Sequence, residues 1–294
     1  MIDRDQRARE LCDAALQHMW RGEVDAAIGV YERARELAAS EELSELLTIR
    51  KAEALIAADR DGEEIGLLPR IVMRRRSPRH VYLASYALLR KYSEQGDRQR
   101  ALFYGEIARS SVAELGDPML RANVLNGIGI TLTADSQFQA AVEAFDHAFA
   151  VLAQVSDRPD EVRSLFGAIE VNLGGAKVVA GDLEEGVRLI ELSLQILEDE
   201  FARTEGYVDL CFAYTSLGEY ARAARFGAEA LELATTPRQV RNANHALADL
   251  AVRTGRYEDA SQHFDVVAAF YPDFKHVKDL LLAVDLSTVV NWKA

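Results

Sequence analysis

The chain has 294 residues, 49% of them hydrophobic, and a formal net charge of -13. That negative field opposes nucleic-acid phosphate, and no uncharged apolar run is long enough to span a bilayer, so neither a nucleic acid nor a membrane is an expected partner. Cys12 and Cys211 lie far apart without metal-ligand spacing, and the N-terminal residues carry charges throughout, so a reducing, cytoplasmic setting without a signal peptide is expected.

Along the chain one spacing recurs six times. A small residue is followed by an apolar residue, or in one copy an arginine, at plus two. A small, mostly alanine, position comes at plus five, an apolar or small one at plus nine and another, usually small, at plus twelve. The first copy is GEVDAAIGVYERA, residues 22–34. Before the second lies a gap of two repeats' length, so a degenerate unit is expected at about 46–76. Its first helix reads as 46–58 and its turn as Asp61-Gly62, with a loop over 59–68 and a short helix from Pro69, which breaks anything longer. Ser77-Pro78 reads as a cap and first-turn proline opening the next helix. GDRQRALFYGEIA (96–108) and SQFQAAVEAFDHA (136–148) follow, then a longer loop at SDRPDE (156–161). GDLEEGVRLIELS (181–193), GEYARAARFGAEA (218–230) and GRYEDASQHFDVV (255–267) complete the series. Pro237 and Pro272 are placed to stop second helices, and an apolar stretch at about 274–290 reads as a capping helix.

Each signature follows an apolar segment of helical period, such as Tyr207, Leu210, Cys211 and Tyr214. The opening glycine suits a left-handed helix end, and the plus-five alanines let two helices approach closely, so leucine there overpacks the contact by roughly 1–3 kcal/mol. Gly127, Gly129 and Gly174-Gly175 read as close-packing sites, and Tyr31, Tyr220 and Tyr257 as core.

The units NLGGAKVVAGDLEEG, DLCFAYTSLGEYARAARFGAEALEL and ADLAVRTGRYEDASQHFDVVAAFYP resemble the tetratricopeptide repeat, and the resemblance covers about residues 8–272. Spacings of 37–45 residues between signatures exceed the family's usual 34, as in longer-helix bacterial variants. The resemblance implies an all-α fold: one domain over 1–294, a right-handed superhelix (α-solenoid) of about seven helix pairs with a C-terminal capping helix. It implies a concave groove for a protein or peptide partner and no catalytic activity.

In that family, groove-facing positions lie 13, 10 and 6 residues before the turn glycine. Carried over, they are Leu83, Tyr86 and Arg90, then Asn123, Asn126 and Ile130, then Glu205, Val208 and Phe212, and last Asn242, His245 and Asp249. Tyr86, Arg90, Asn123, Asn126, Ile130, Asn242 and His245 are the candidate partner contacts, because asparagine both donates to and accepts from a peptide backbone. The alternative is that these polar residues are solvated or tie repeats together. RIVMRRRSPRH (70–80) is the one dense basic segment. Arg74, Arg75 and Arg76 either grip an anionic partner or pair with nearby carboxylates. No hydrolase, phosphate-loop or metal motif is present, so no cofactor, metal or enzymatic activity is expected. The expected function is a peptide- or protein-binding scaffold. The alternative is a ligand-responsive sensor similar to bacterial peptide-pheromone receptors, acting through a partner or a further C-terminal region. Leu280 to Leu282 and Trp292 are candidates for a homodimer contact.

Overall fold

Among the described residues, seven of the left-handed turns recur at repeat spacing and set the rhythm of the chain. In the computed structural model, which describes residues 4–156, 159–272 and 276–283, the regular elements among the described residues are fifteen α-helices. They divide into two compact units, residues 1–128 and 129–294.

Unit 1 holds α1 (Arg4–Trp20), α2 (Val24–Leu37), α3 (Glu41–Ala57), α4 (Glu63–Arg74), α5 (Pro78–Glu94), α6 (Arg98–Leu115) and the start of α7 (Pro118–Ala134). Helices pair in succession, α1 with α2, α3 with α4 and α5 with α6, while α3 also packs on α1 and α5. Unit 2 holds the end of α7, then α8 (Phe138–Leu152), α9 (Pro159–Val179), α10 (Leu183–Ser193), α11 (Glu200–Ser216), α12 (Tyr220–Leu233), α13 (Pro237–Arg253), α14 (Tyr257–Ala268) and α15 (Val277–Ala283). Here α9 pairs with α10, α11 with α12 and α13 with α14, while α11 packs on α9 and α13.

The expected glycine stops are present: Gly22, Gly96, Gly181, Gly218 and Gly255 have φ of 73°, 74°, 91°, 77° and 73°. Ser136 takes the same role at φ 59° and Asp59 at φ 51°. After each, the next amide reaches back to the carbonyl five residues earlier, as in Asp97 to Tyr92 at 2.9 Å, Gln137 to Leu132 at 2.9 Å and Arg60 to Leu55 at 2.9 Å. This bond satisfies a carbonyl that the helix end leaves without a partner.

Asp59 therefore corrects the degenerate repeat. Its turn is not at Asp61-Gly62 but at Asp59, 37 residues after Gly22 and 37 before Gly96. In that register Leu68, fully buried, falls on the plus-nine core position, and Glu64 falls where other repeats carry alanine or glycine. The Glu64 side chain is only 3% exposed, with Arg35 at 2.6 Å and Lys51 at 3.0 Å. Burial alone raises the Glu64 carboxyl; the Lys51 hydrogen bond and the Lys51 and Arg35 charges outweigh it and hold the group below its ordinary range.

Pro69 does not begin a helix; it lies inside α4. Its ring removes one hydrogen bond, to the carbonyl four residues back. Burial of Ile65 and Leu68 before it and of Ile71 and Val72 after it keeps the helix continuous. Ser77 and Pro78 do open α5, although the Ser77 side chain makes no capping bond. The expected loop at 156–161 is shorter than its sequence, because α9 already begins at Pro159.

Close packing explains the interior glycines Gly127, Gly129, Gly174 and Gly186. A Cβ on Gly129 would stand 2.5 Å from the Phe145 ring, and one on Gly186 would stand 2.8 Å from the Gly174 carbonyl oxygen. Tyr31 is core, at 1% exposure, but Tyr220 and Tyr257 are 42% and 65% exposed. Both stand at the first position of a helix, where the turn points the side chain outward. α15 rests on α14, tied by Lys278 to Asp265 at 2.5 Å. The rest of the expected cap, with Trp292, lies outside the described residues.

Candidate functional site

A polar seam crosses α3, α5 and α7 in unit 1. Tyr86 on α5 donates its hydroxyl to Asn123 Oδ1 on α7 at 3.0 Å. One turn earlier Tyr82 stacks on Tyr86, with ring centroids 5.8 Å apart. Burial, helped by the Tyr86 hydroxyl, raises the Tyr82 hydroxyl above its ordinary value, and the Asn123 hydrogen bond partly opposes this. On α3, Arg50 donates to Glu53 at 2.8 Å, both side chains being mostly buried. Burial works against the Arg50 charge, but the Glu53 carboxylate more than restores it and raises the guanidinium above its usual value. The charges of Arg50 and Glu53 reach Tyr82, and that of Glu53 reaches Tyr86.

The candidate residues divide sharply around this seam. Tyr86 and Asn123 are brought together and stay half-buried. Arg90 is exposed on α5, 3.8 Å from Glu94. Asn126 is buried at 8% exposure, and Leu83 at 7%. Asn123 uses its amide to hold Tyr86 of the neighbouring pair, so this candidate contact also ties two repeats together.

In unit 2 the candidates are mostly enclosed. Ile130, near the end of α7, is 36% exposed. Asn242 is buried and accepts from Arg241 twice at 3.1 Å. His245 is buried between the rings of Phe212 and Phe264, at centroid distances of 5.6 Å and 6.5 Å, and its Nε2 has no partner. Burial, with the Arg241 charge, lowers it to about 4. Val208 and Phe212 are core, Asp249 is buried against Arg253 at 3.2 Å, and Glu205 pairs with Arg238 at 3.3 Å.

Arg74 and Arg76 both face Glu41, Arg74 at 3.8 Å, and Arg75 faces Glu114 at 3.4 Å. Sequence reasoning passed over Arg50, Glu53 and Tyr82. The signal for Glu53 lay in the register: counted from Asp59 it stands six residues before the turn, the offset that Arg90 holds before Gly96. With no glycine at 59, that offset had no anchor.

Among the described residues no group of three or more His, Cys, Asp or Glu side chains is placed to hold a metal ion, and no helix is long and apolar enough to cross a membrane. Helix pairs joined by left-handed turns, with a small residue at each close approach, define a helical-repeat protein. The fold is of the tetratricopeptide type, an α-solenoid. A Rap protein solved with Competence and Sporulation Factor is similar at TM-score 0.69 and 14% identity, over 97% of this chain and 79% of that one. The apo quorum sensor NprR from B. thuringiensis is similar at 0.62 and 14%, over 97% and 83%. A tetratricopeptide repeat protein from Parabacteroides merdae is similar at 0.57 and 16%, over 96% and 99%. No family model matches the sequence, and no curated protein matches it.

Proposed function

We propose that the protein is a non-catalytic binding module that holds a peptide or an extended segment of a partner protein along the seam of unit 1. The observation that carries this reading is the half-buried Tyr86–Asn123 pair, with Arg50–Glu53 on the neighbouring α3 and exposed Arg90 one turn further along α5. Such a row offers donors and acceptors at intervals along neighbouring helices, which suits a main chain better than a compact substrate. Fixed side chains also lower the ordering cost of binding.

Affinity capture from the source cell, with mass spectrometry of co-purifying proteins and peptides, tests it when wild type is compared with Tyr86→Phe and Arg90→Ala. Tyr86→Phe removes only a hydroxyl, and Arg90 is exposed, so melting temperatures should change little. Loss of a shared set of captured species in both variants is the expected outcome. Identical capture by all three proteins would remove the seam from the function.

A second reading, a ligand-responsive sensor, is supported by the likeness in fold to the Rap protein and to the quorum sensor NprR. It requires ligand to favour one arrangement of helix pairs over another. Solution scattering with and without a captured ligand tests this, and superimposable profiles would leave only the scaffold.

A further inference from the structure

The bend that closes α4 is independent of the seam. Arg70, Arg74, Arg75, Arg76 and Arg79 fall within ten residues, and all five are exposed. Among the described residues, the carboxylates that pair with them are Glu41, with Arg74 and Arg76, and Glu114, with Arg75. Five cations against two carboxylates leave a local positive excess on a chain of formal net charge -13. Met73 stands in the middle, 82% exposed. Arg75 has left-handed backbone, φ 49° and ψ 35°. That kink sends its side chain towards α6 while Arg74 and Arg76 turn to α3.

We infer that this bend docks an acidic, partly apolar segment of another protein. The bend's own ion pairs are exposed and worth about 0–1 kcal/mol each, so incoming carboxylates displace them at little cost. Guanidinium groups meet carboxylates through paired hydrogen bonds, and the Met73 side chain adapts to an apolar neighbour. Range selects the partner class. The positive excess acts over a Debye length of about 8 Å at physiological salt. A short acidic segment stays within that range, whereas a nucleic-acid duplex or an anionic bilayer extends over the acidic remainder of the chain and is repelled.

The test uses the full chain and a fluorescent peptide of repeated Glu-Glu-Leu, with a Gln-Gln-Leu peptide, duplex DNA and phosphatidylserine vesicles as comparisons. The acidic peptide should bind, weaken at least ~10-fold in the Arg74→Ser/Arg75→Ser/Arg76→Ser variant and weaken again as salt is raised. Met73→Ser should cost several-fold, and Arg225→Ser, at an exposed arginine of α12 in unit 2, should leave binding unchanged, which ties the loss to the bend. If the triple variant loses stability, Arg70→Ser/Arg79→Ser repeats the measurement without breaking a described ion pair. No binding of the acidic peptide by wild type, equal binding of the glutamine peptide, or binding undiminished in the arginine variants overturns the inference. Tighter binding of DNA or vesicles also overturns it.

Discussion

Gly218 and Asp59 occupy equivalent turns with opposite consequences. A Cβ on Gly218 meets nothing within 4 Å, so Gly218→Ala pays only for its left-handed backbone, φ 77°. Thermal or urea unfolding should show a loss of about 1–2 kcal/mol. Asp59 is exposed and already bears that cost, so Asp59→Gly should gain about 0.5–1 kcal/mol, less than the full relief because the unfolded chain also becomes freer. A stabilised Gly218→Ala variant would contradict the assignment of the strain. His245 belongs to the same scale. Held at about 4 when folded and near the ordinary 6.5 when unfolded, it lets the unfolded chain bind a proton that the folded chain refuses. Its presence therefore costs nothing above about pH 6.5, and the penalty grows as pH falls, towards an order of 3 kcal/mol near pH 4. His245→Phe should narrow the stability difference between neutral and acidic pH, and equal acid sensitivity in both proteins would refute this.

Between elements, the distance of helix approach decides which small residue a repeat carries. Ala27, Ala101, Ala141, Ala223 and Ala260 are fully buried at the plus-five position. At Gly186 even one methyl group would meet Val178 Cγ2 at 2.6 Å and the Gly174 carbonyl oxygen at 2.8 Å. The second of these is backbone, so α9 and α10 must move apart. Gly186→Ala should destabilise by about 1–3 kcal/mol. Gly29→Ala on α2, where a Cβ meets nothing within 4 Å, should instead stabilise by up to ~1 kcal/mol. If both substitutions move the unfolding midpoint the same way, close approach is not what selects glycine at 186.

At the scale of the chain, the parts legible in the sequence were those repeated in it. Glycine stops, small plus-five residues and the helix pairs they join follow from one spacing. The second repeat was expected but its turn was placed two residues late, because Asp59 and Glu64 replace its glycine and alanine, so the chemistry of the turn was hidden while its geometry survived. The candidate site was less legible. Tyr86 and Asn123 meet as neighbouring helices require, but the same offsets placed Asn242 and His245 in buried surroundings, because an offset fixes a helix face and not what covers it. Tyr220 and Tyr257 show the reverse, aromatic residues that the repeat offsets assign to the core and the turn leaves exposed.

The regular interval from Gly22 to Asp59 to Gly96 also defines what the chain can lose. Excision of residues 60–96 would join the Asp59 turn directly to the segment that opens α6, with Ala101 arriving where Glu64 now stands. The seam of helices would shorten by one step without changing phase. A cut one residue shorter or longer would rotate every following side chain by about 100° around its helix. Gene length in such a protein is thus quantised: whole repeats are the heritable unit, and comparing the melting of the two deletions would measure how strictly that unit is enforced.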